Sequence, residues 1–434
     1  MTSTAPGAPH TSRRRVLVVA NDGLPYPGRP VSGSGLRAWG LGQGLLARGH
    51  DVAFAMPRVA AGGPVALASA SEGGPLLYDD PELRDLVIGS GAEVVVFQHW
   101  PRVGVAMDLD VAVALDLHGP LMVESAFQRR PDLDLPEMAR VKVDAFRRAD
   151  FITCAGDQQR KYFLPWLMLA GGDPTCETIA WIPVSLPPEA PAHDSSPDEM
   201  SFVYGGMFLP WQDPSLGLTT LVGVLEKEQR GRLDFFGARH PQFEMSTGVF
   251  ESLEARLAAS DRVVVHGLRP RDELIEHYRH SWVAFDLMRR NNERELAFTS
   301  RTAEYLWCGL PVVYQDYGEL SPLISDYEAG WVVDPDDGDG LADVLRGILA
   351  APDEVARRGA NAARLAHERL NWERSIDPLD EFCRSPVRTE RDPALLVGRA
   401  FTGGGWPAVR GALRTTGAWG RIAPLRRVYR RLRR

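Results

Sequence analysis

Apolar residues come along this chain in short continuous blocks rather than in alternation. Arg15–Ala20, Asp51–Met56, Val94–Phe97, Val111–Leu115 and Phe151–Cys154 are such blocks in the first half. Blocks of this length suit strands of a parallel sheet that is covered on both faces. Between the first two, Gly35–Arg48 reads as a helix that Gly49 stops. Strand, loop, helix, strand is the opening unit of a doubly wound α/β fold. The same texture restarts later, at Ser201–Tyr204, Leu233–Phe236, Val263–His266, Val283–Asp286, Pro311–Tyr314 and Gly330–Val333. No short repeat is visible.

Between the halves, residues 183–200 carry Pro183, Pro187, Pro188, Pro191 and Pro197 among Ser and Asp. This composition reads as a linker. The expected organisation is a disordered N-terminus at 1–14, Rossmann-like domains at 15–182 and 201–370, and the linker between them. A closing helix at 371–384 and a basic tail at 385–434 complete it. Leu341–Leu370, rich in Ala and Arg, reads as helical throughout.

Length and composition narrow the class without changing this outline. The chain has 434 residues, 44% hydrophobic and 24% charged, which is ordinary globular usage. Collagen, disorder throughout and a disulfide miniprotein are excluded. Cys154, Cys176, Cys308 and Cys383 form no CxxC pair, and reduced thiols in a cytosol are expected. No signal peptide is expected from the polar start of the sequence, and no run approaches ~18 apolar residues.

Polar residues at the carboxyl ends of such strands face the ligand crevice. Three groups stand there. Gly33-Ser-Gly35 precedes the first helix and reads as a backbone cradle or as a tight turn. It is no dinucleotide fingerprint, because Ala38 replaces the third Gly and no acidic residue follows Met56-Pro57-Arg58. Asp116 and His118, with Glu124 beyond, end another strand; His118 reads as a site residue or a structural histidine, and His99 is placed similarly. In the second half Gly205-Gly206 follows a strand and reads as a phosphate approach or a turn. The richest segment is Arg289 to Val313, in which Arg289, Arg290, Arg294 and Arg301 stand with Glu293 and Glu295. Thr299 or Ser300 is expected to cap the helix that bears Glu304, and hydroxyls with Arg at a helix N-terminus suit a diphosphate. Two other groups read as plain surface, the turn Asp334-Pro-Asp-Asp337 and the helical pair His277 and His280.

The Arg289–Val313 segment resembles the donor-binding segment of GT-B glycosyltransferases, especially family 4-like retaining enzymes. Phe298, Glu304 and Gly309-Leu-Pro-Val-Val313 carry the likeness. Val31-Ser-Gly-Ser-Gly-Leu-Arg-Ala-Trp39, Ala47-Arg-Gly-His-Asp-Val52 and Arg262-Val-Val-Val-His-Gly-Leu268, with Glu273 and Tyr278 beyond, extend it over roughly residues 15–384. Two departures stand out. The family's first Glu falls on Leu296, one position past Glu295. Its diphosphate-binding Lys has no counterpart near Pro210-Trp-Gln-Asp213, so Arg289, Arg290, Arg294 or Arg301 replaces it.

The resemblance implies two Rossmann-like domains facing across a cleft and transfer of a sugar from a nucleotide-sugar donor, with retention and without a metal or cofactor. It implies His118 and Glu295 at the reacting sugar. It places donor contacts at Gly33, Gly35, Gly205, Gly206, Arg289, Arg294, Ser300, Arg301 and Glu304. The acceptor is expected to be a glycan, lipid-linked or natural-product hydroxyl. A sugar-nucleotide epimerase and a catalytically silent scaffold of the same fold are the alternatives. Three Lys (Lys142, Lys161, Lys227) against many Arg suggest a GC-rich genome such as an actinomycete's.

Charge is unevenly divided. Residues 385–434 hold twelve Arg against Glu390 and Asp392, a net of +10, which leaves −18 on the rest of a chain whose total is −8. Trp419, Ile422, Leu425, Tyr429 and Leu432 recur at steps of three or four among the Arg. This is the pattern of a basic amphipathic helix on an anionic membrane surface. Packing on the acidic body, a partner or disorder remain open, and nucleic acid is not expected. A cytoplasmic protein, peripheral on the membrane's inner face, follows.

Overall fold

The computed structural model describes residues 12–61, 74–195, 199–239 and 249–391. Two parallel sheets organise them. The first holds β1 (Arg15–Val19), β2 (Asp51–Pro57), β3 (Leu76–Tyr78), β4 (Val94–Gln98), β5 (Ala112–Leu117), β6 (Phe151–Cys154) and β7 (Ala180–Trp181). Its order is β3-β2-β1-β4-β5-β6-β7. The second holds β8 (Ser201–Met207), β9 (Arg232–Ala238), β10 (Val263–Val265), β11 (Val283–Asp286), β12 (Val312–Gln315) and β13 (Gly330–Val333). Its order is β10-β9-β8-β11-β12-β13.

Around the first sheet lie α1 (Gly33–Ala47), α2 (Leu83–Ser90), α3 (Leu121–Phe127), α4 (Leu135–Arg148) and α5 (Asp157–Leu169). The second carries α6 (Ser215–Glu228), α7 (Phe250–Ala258), α8 (Arg271–His280), α9 (Ser300–Trp307), α10 (Ser321–Tyr327), α11 (Gly338–Ala350) and α12 (Pro352–Arg369). With helices on both faces, Val16, Leu17 and Val18 are each fully buried, as are Val94, Val95 and Val96. Each such side chain contributes roughly 1.5–3 kcal/mol by leaving water. That is why the strands read as unbroken apolar blocks. The strands missing from the sequence reading, β3 and β7, are three and two residues long and form no block.

Strand order reverses between β1 and β4 in the first sheet and between β8 and β11 in the second. Crevices open at the carboxyl ends of the strands at these points. The loops β1–α1 and β11–α9 leave them toward each other, so the two crevices form one cleft.

Three expectations are corrected. The helix expected over 341–370 is two, because Ala351 leaves the helical region (φ −130°) and Pro352 opens α12. The closing helix is also two, α13 (Trp372–Ser375) and α14 (Asp377–Arg384). Both return to the first domain, where Phe382 stacks on Phe151 (5.0 Å) and Asp380 meets His50 (2.8 Å). Of the N-terminus, residues 1–11 lie outside the described residues, but Ser12 donates to the Arg384 carbonyl and Arg14 pairs with Glu93.

The tail helix pattern, 419–432, lies outside the described residues. Residues 385–391 strap onto the first domain: Arg391 pairs with Glu177 (2.7 Å) and donates to the Phe146 carbonyl, and Thr389 N donates to Asp150. Cys154, Cys308 and Cys383 are buried free thiols, and Cys176 is an exposed one. Among the described residues no helix is long and apolar enough to cross a membrane.

Candidate active site

The cleft encloses a cavity of ≈ 430 Å³ lined by both domains. On the first domain, Ser32 caps α1 by accepting from Gly35 N (3.2 Å), so the helix starts two residues earlier than expected. Its N-terminus therefore meets the second domain. A methyl group on Gly33 would lie 2.5 Å from Ser300 Oγ, so glycine is what permits this approach. Gly35 packs against the Gly23 carbonyl and does not line the cleft, so its part is the close packing of the loop on α1.

Behind that wall lies a sealed ion pair. Arg37, 1% exposed, donates from Nε and Nη2 to Asp116, fully buried, and from Nη1 to the Ile182 carbonyl. His118 comes next on the chain. Its Nδ1 lies 3.8 Å from Asp116 and its ring packs at a tilt of 35° against His99, centroids 4.3 Å apart. Burial, and then Arg37, push the His118 pKa down to about 3; His99 is held well down by burial and by His118. With Asp116 already matched by Arg37, both imidazoles are neutral. Such rings donate and accept hydrogen bonds but supply no charge. The Nδ1 atoms of both rings are buried without a partner.

Glu124, on α3, reaches the same wall. Burial, and then the Glu293 carboxylate opposite, push its pKa up to about 8, with Arg294 opposing.

On the second domain, Gly205 N donates to Tyr305 Oη of α9 (2.7 Å). Gly206 (φ +151°) lies flat against the Arg301 guanidinium, where any side chain would collide. Arg301 donates to Tyr204 Oη (3.0 Å) and Gln212 Oε1 (3.1 Å), and its Nε stands 3.9 Å from the buried Asp286. Burial opposes its charge, but Tyr204 and Asp286 outweigh that and hold the guanidinium ionised. Ser300 opens α9 beside it. Thr299 occupies the N-cap position but does not cap, since its hydroxyl bonds Thr302 and Tyr314 instead. The amides at this helix end thus remain directed toward the cleft, and with Arg301 they suit an anion.

The β11–α9 loop sorts the expected residues into two sets. Asn291 Oδ1 accepts from Glu293 N and Arg294 N and makes a tight turn. The turn sends Glu293 and Arg294 inward as a buried two-point pair (2.5 and 2.8 Å). Glu295 is sent outward, where Arg290 holds it (2.6 Å) and it does not line the cleft. Arg289 is exposed near Asp336 (3.6 Å) and also stands apart. Glu304 lines the cleft and receives Arg271 Nε (2.6 Å). The structure therefore gathers His118, Gly33, Gly205, Gly206, Arg294, Ser300, Arg301 and Glu304, and leaves Gly35, Glu295 and Arg289 outside.

Glu293, Tyr204, Gln212 and Asp286 were missed as site residues. The Asn291 turn was the available signal for Glu293; Asp286 was readable as a strand end. The groups read as plain surface sit elsewhere. Asp337 caps α11, His277 packs against Phe236 and His280 bonds Glu276.

Residues 193–365 match the family model described as glycosyl transferases group 1. None of the curated proteins compared with the chain matches it. Among solved structures, the fold is similar to a sucrose-phosphate synthase from Thermosynechococcus elongatus (20% identity, TM-score 0.65, covering 86% of this chain and 98% of that one). It is similar to HepE of Anabaena in complex with UDP-glucose (14%, TM-score 0.61, 86% and 100%). An α-glucosyltransferase solved with UDP and a 13-mer DNA is a third (12%, TM-score 0.58, 86% and 99%). Fold, cleft and family match define the class: a glycosyltransferase of GT-B architecture, EC 2.4.

Proposed function

We propose that this protein transfers a sugar from a uridine-diphosphate donor to a hydroxyl of a sugar-containing, lipid-linked or natural-product acceptor, with retention, in the manner of family 4-like enzymes. Residues 15–182 form the acceptor domain, 183–200 the linker and 201–370 the donor domain in this reading. The observation that carries it is Arg301. It is a buried, ionised guanidinium at the start of α9, lying on Gly206 and facing Gly33 across the cleft. Neighbours of the same fold were solved with UDP or UDP-glucose.

The chemistry follows from where charge develops. As the bond from the anomeric carbon to the diphosphate breaks, its electron pair leaves with the diphosphate oxygen. Arg301, Ser300 and the α9 amides neutralise that charge, already oriented and partly shielded from water. The acceptor oxygen attacks from the same face, and its proton passes to the leaving phosphate oxygen. Gly33 and Gly205 let backbone approach the diphosphate, Glu304 holds the ribose, and His118 hydrogen-bonds the reacting sugar as a neutral ring. Glu293 takes the sugar-facing place expected of Glu295, with Arg294 holding it. No residue in this scheme calls for a metal.

The anionic membrane surface is the proposed seat of the basic tail, on a cytoplasmic enzyme. Supporting it, residues 385–391 are strapped to the first domain, so the remaining Arg-rich chain starts there. Incubation with a panel of UDP-sugars and acceptors, reading UDP release and the anomeric signal of the product by NMR, tests the function. Interconverted sugars without UDP release would point to an epimerase. UDP binding without turnover of any donor would point to a silent scaffold.

A further inference from the structure

The acceptor side of the cleft has a charge pattern that donor binding does not explain. Its polar lining includes Asp22, His99, His118, Glu124, Gln128 and Gln159, and no Lys or Arg from the first domain lines it. First-domain cations stand behind the wall: Arg37 is fully engaged by Asp116 and Ile182, Arg102 donates to Asn21 (2.6 Å), and Lys142 is buried against the rings of Tyr162, Phe163 and Trp166, which lowers its pKa to about 6. Across the cleft, Arg294 is matched by Glu293, and Arg301 by Tyr204, Gln212 and Asp286.

Glu124 is the exception to this pairing. Among the described residues nothing donates a hydrogen bond to its carboxyl, which sits over Gly119 and faces Glu293. Beside it, the His99 and His118 rings line the cleft, their Nδ1 atoms turned inward, that of His118 toward Asp116 (3.8 Å). A carboxyl left unpaired in a half-buried wall opposite a second carboxylate is costly unless a ligand completes it. Neutral imidazoles beside it suit hydroxyls, which both donate and accept. On its own the Glu124 carboxyl, its pKa raised to about 8 by burial and then by Glu293, keeps its proton at pH 7; a cation would let it ionise, whereas a phosphate or carboxylate would meet the Glu293 charge.

We propose that the cleft takes an acceptor that carries a protonated amine among its hydroxyls, an amino sugar or aminocyclitol, and that Glu124 selects it. This rests on the glycosyl-transfer reading. As the ammonium arrives, Glu124 releases its proton to solvent and becomes its counter-ion, the hydroxyls bond the His118 and His99 rings, and anionic acceptors are turned away.

Calorimetric titration of the full chain with D-glucosamine, D-glucose and glucose 6-phosphate, with and without UDP, tests it. Glucosamine is expected to bind about tenfold more tightly than glucose, the scale of one charge-assisted hydrogen bond, with glucose 6-phosphate weakest. Glu124→Gln is expected to bring glucosamine down to glucose, and Glu124→Asp to keep the preference. Glucosamine binding no tighter than glucose, tightest binding of the phosphate ester, or a preference that survives Glu124→Gln overturns the proposal. Failure of UDP to bind would instead sink the donor reading, because the amine comparison stands without nucleotide.

Discussion

Arg37 of α1 grips Asp116 at the end of β5 through Nε and Nη2, at 2.7–3.0 Å, and neither side chain reaches solvent. The pair ties the helix behind the first glycine loop to the strand that delivers His118. Asp116→Ala would strand a buried guanidinium. A loss of about 3–5 kcal/mol is expected in urea unfolding, against a far smaller change for an exposed pair such as Arg130–Asp132.

The same burial sets a pH dependence. His118 titrates at about 3 in the folded protein, lowered by burial and then by Arg37, against about 6.5 in the unfolded chain. Below pH ~6.5 the unfolded chain binds a proton that the folded chain refuses, so stability falls as pH drops from there toward 3. His99 acts in the same direction. Melting temperatures at pH 7 and 4.5 should therefore fall further for the wild type than for His118→Asn. Equal falls would refute the assignment.

Arg301 is expected to be irreplaceable in donor binding. Arg301→Ala should lower kcat/KM for a UDP-sugar by about 10²–10³, the scale of losing one preorganised donor to developing charge. Arg301→Lys should not rescue it, because a single ammonium cannot keep both the Tyr204 and Gln212 contacts and still face a phosphate. Circular dichroism of each variant separates this from unfolding.

Two neighbouring carboxylates should behave differently. Glu293→Gln is expected to cost about tenfold or more in kcat/KM, since it empties the pair with Arg294 that faces the cleft. Glu295→Gln should stay within about twofold, because its partner is the exposed Arg290. The reverse ranking would restore the role first expected of Glu295.

Gly33→Ala should wedge the domains apart, with donor KM rising several-fold. The added methyl would stand 2.5 Å from Ser300 Oγ but 3.3 Å from its Cβ. Removing that oxygen relieves most of the clash, so Gly33→Ala/Ser300→Ala should be less impaired than the two single losses summed. Additive losses would show that the contact does not couple the sites.

Much of this was legible in the chain itself. Buried parallel strands demand unbroken apolar blocks, so β1, β4, β8 and β11 announce themselves and with them the two sheets. Polar residues just past those blocks mark the cleft, which is how His118, Gly206 and Arg301 could be named. Short edge strands carry no such block, and the break at Ala351 is one residue's backbone angle.

What the linear order could not supply was direction. Glu293 and Glu295 are two residues apart, and a one-residue difference in the loop exchanges which of them faces inward. The Asn291 turn decides that through two backbone hydrogen bonds. Likewise, Arg37 and Asp116 are 79 positions apart, and their pairing, which adds to burial in keeping His118 neutral, exists only once β1, β4 and β5 lie side by side. Hydrophobic patterning determined the sheets because burial is read locally, residue by residue. Charge pairing and the aim of each site residue were decided by the tertiary structure, because they depend on which distant groups share one desolvated space.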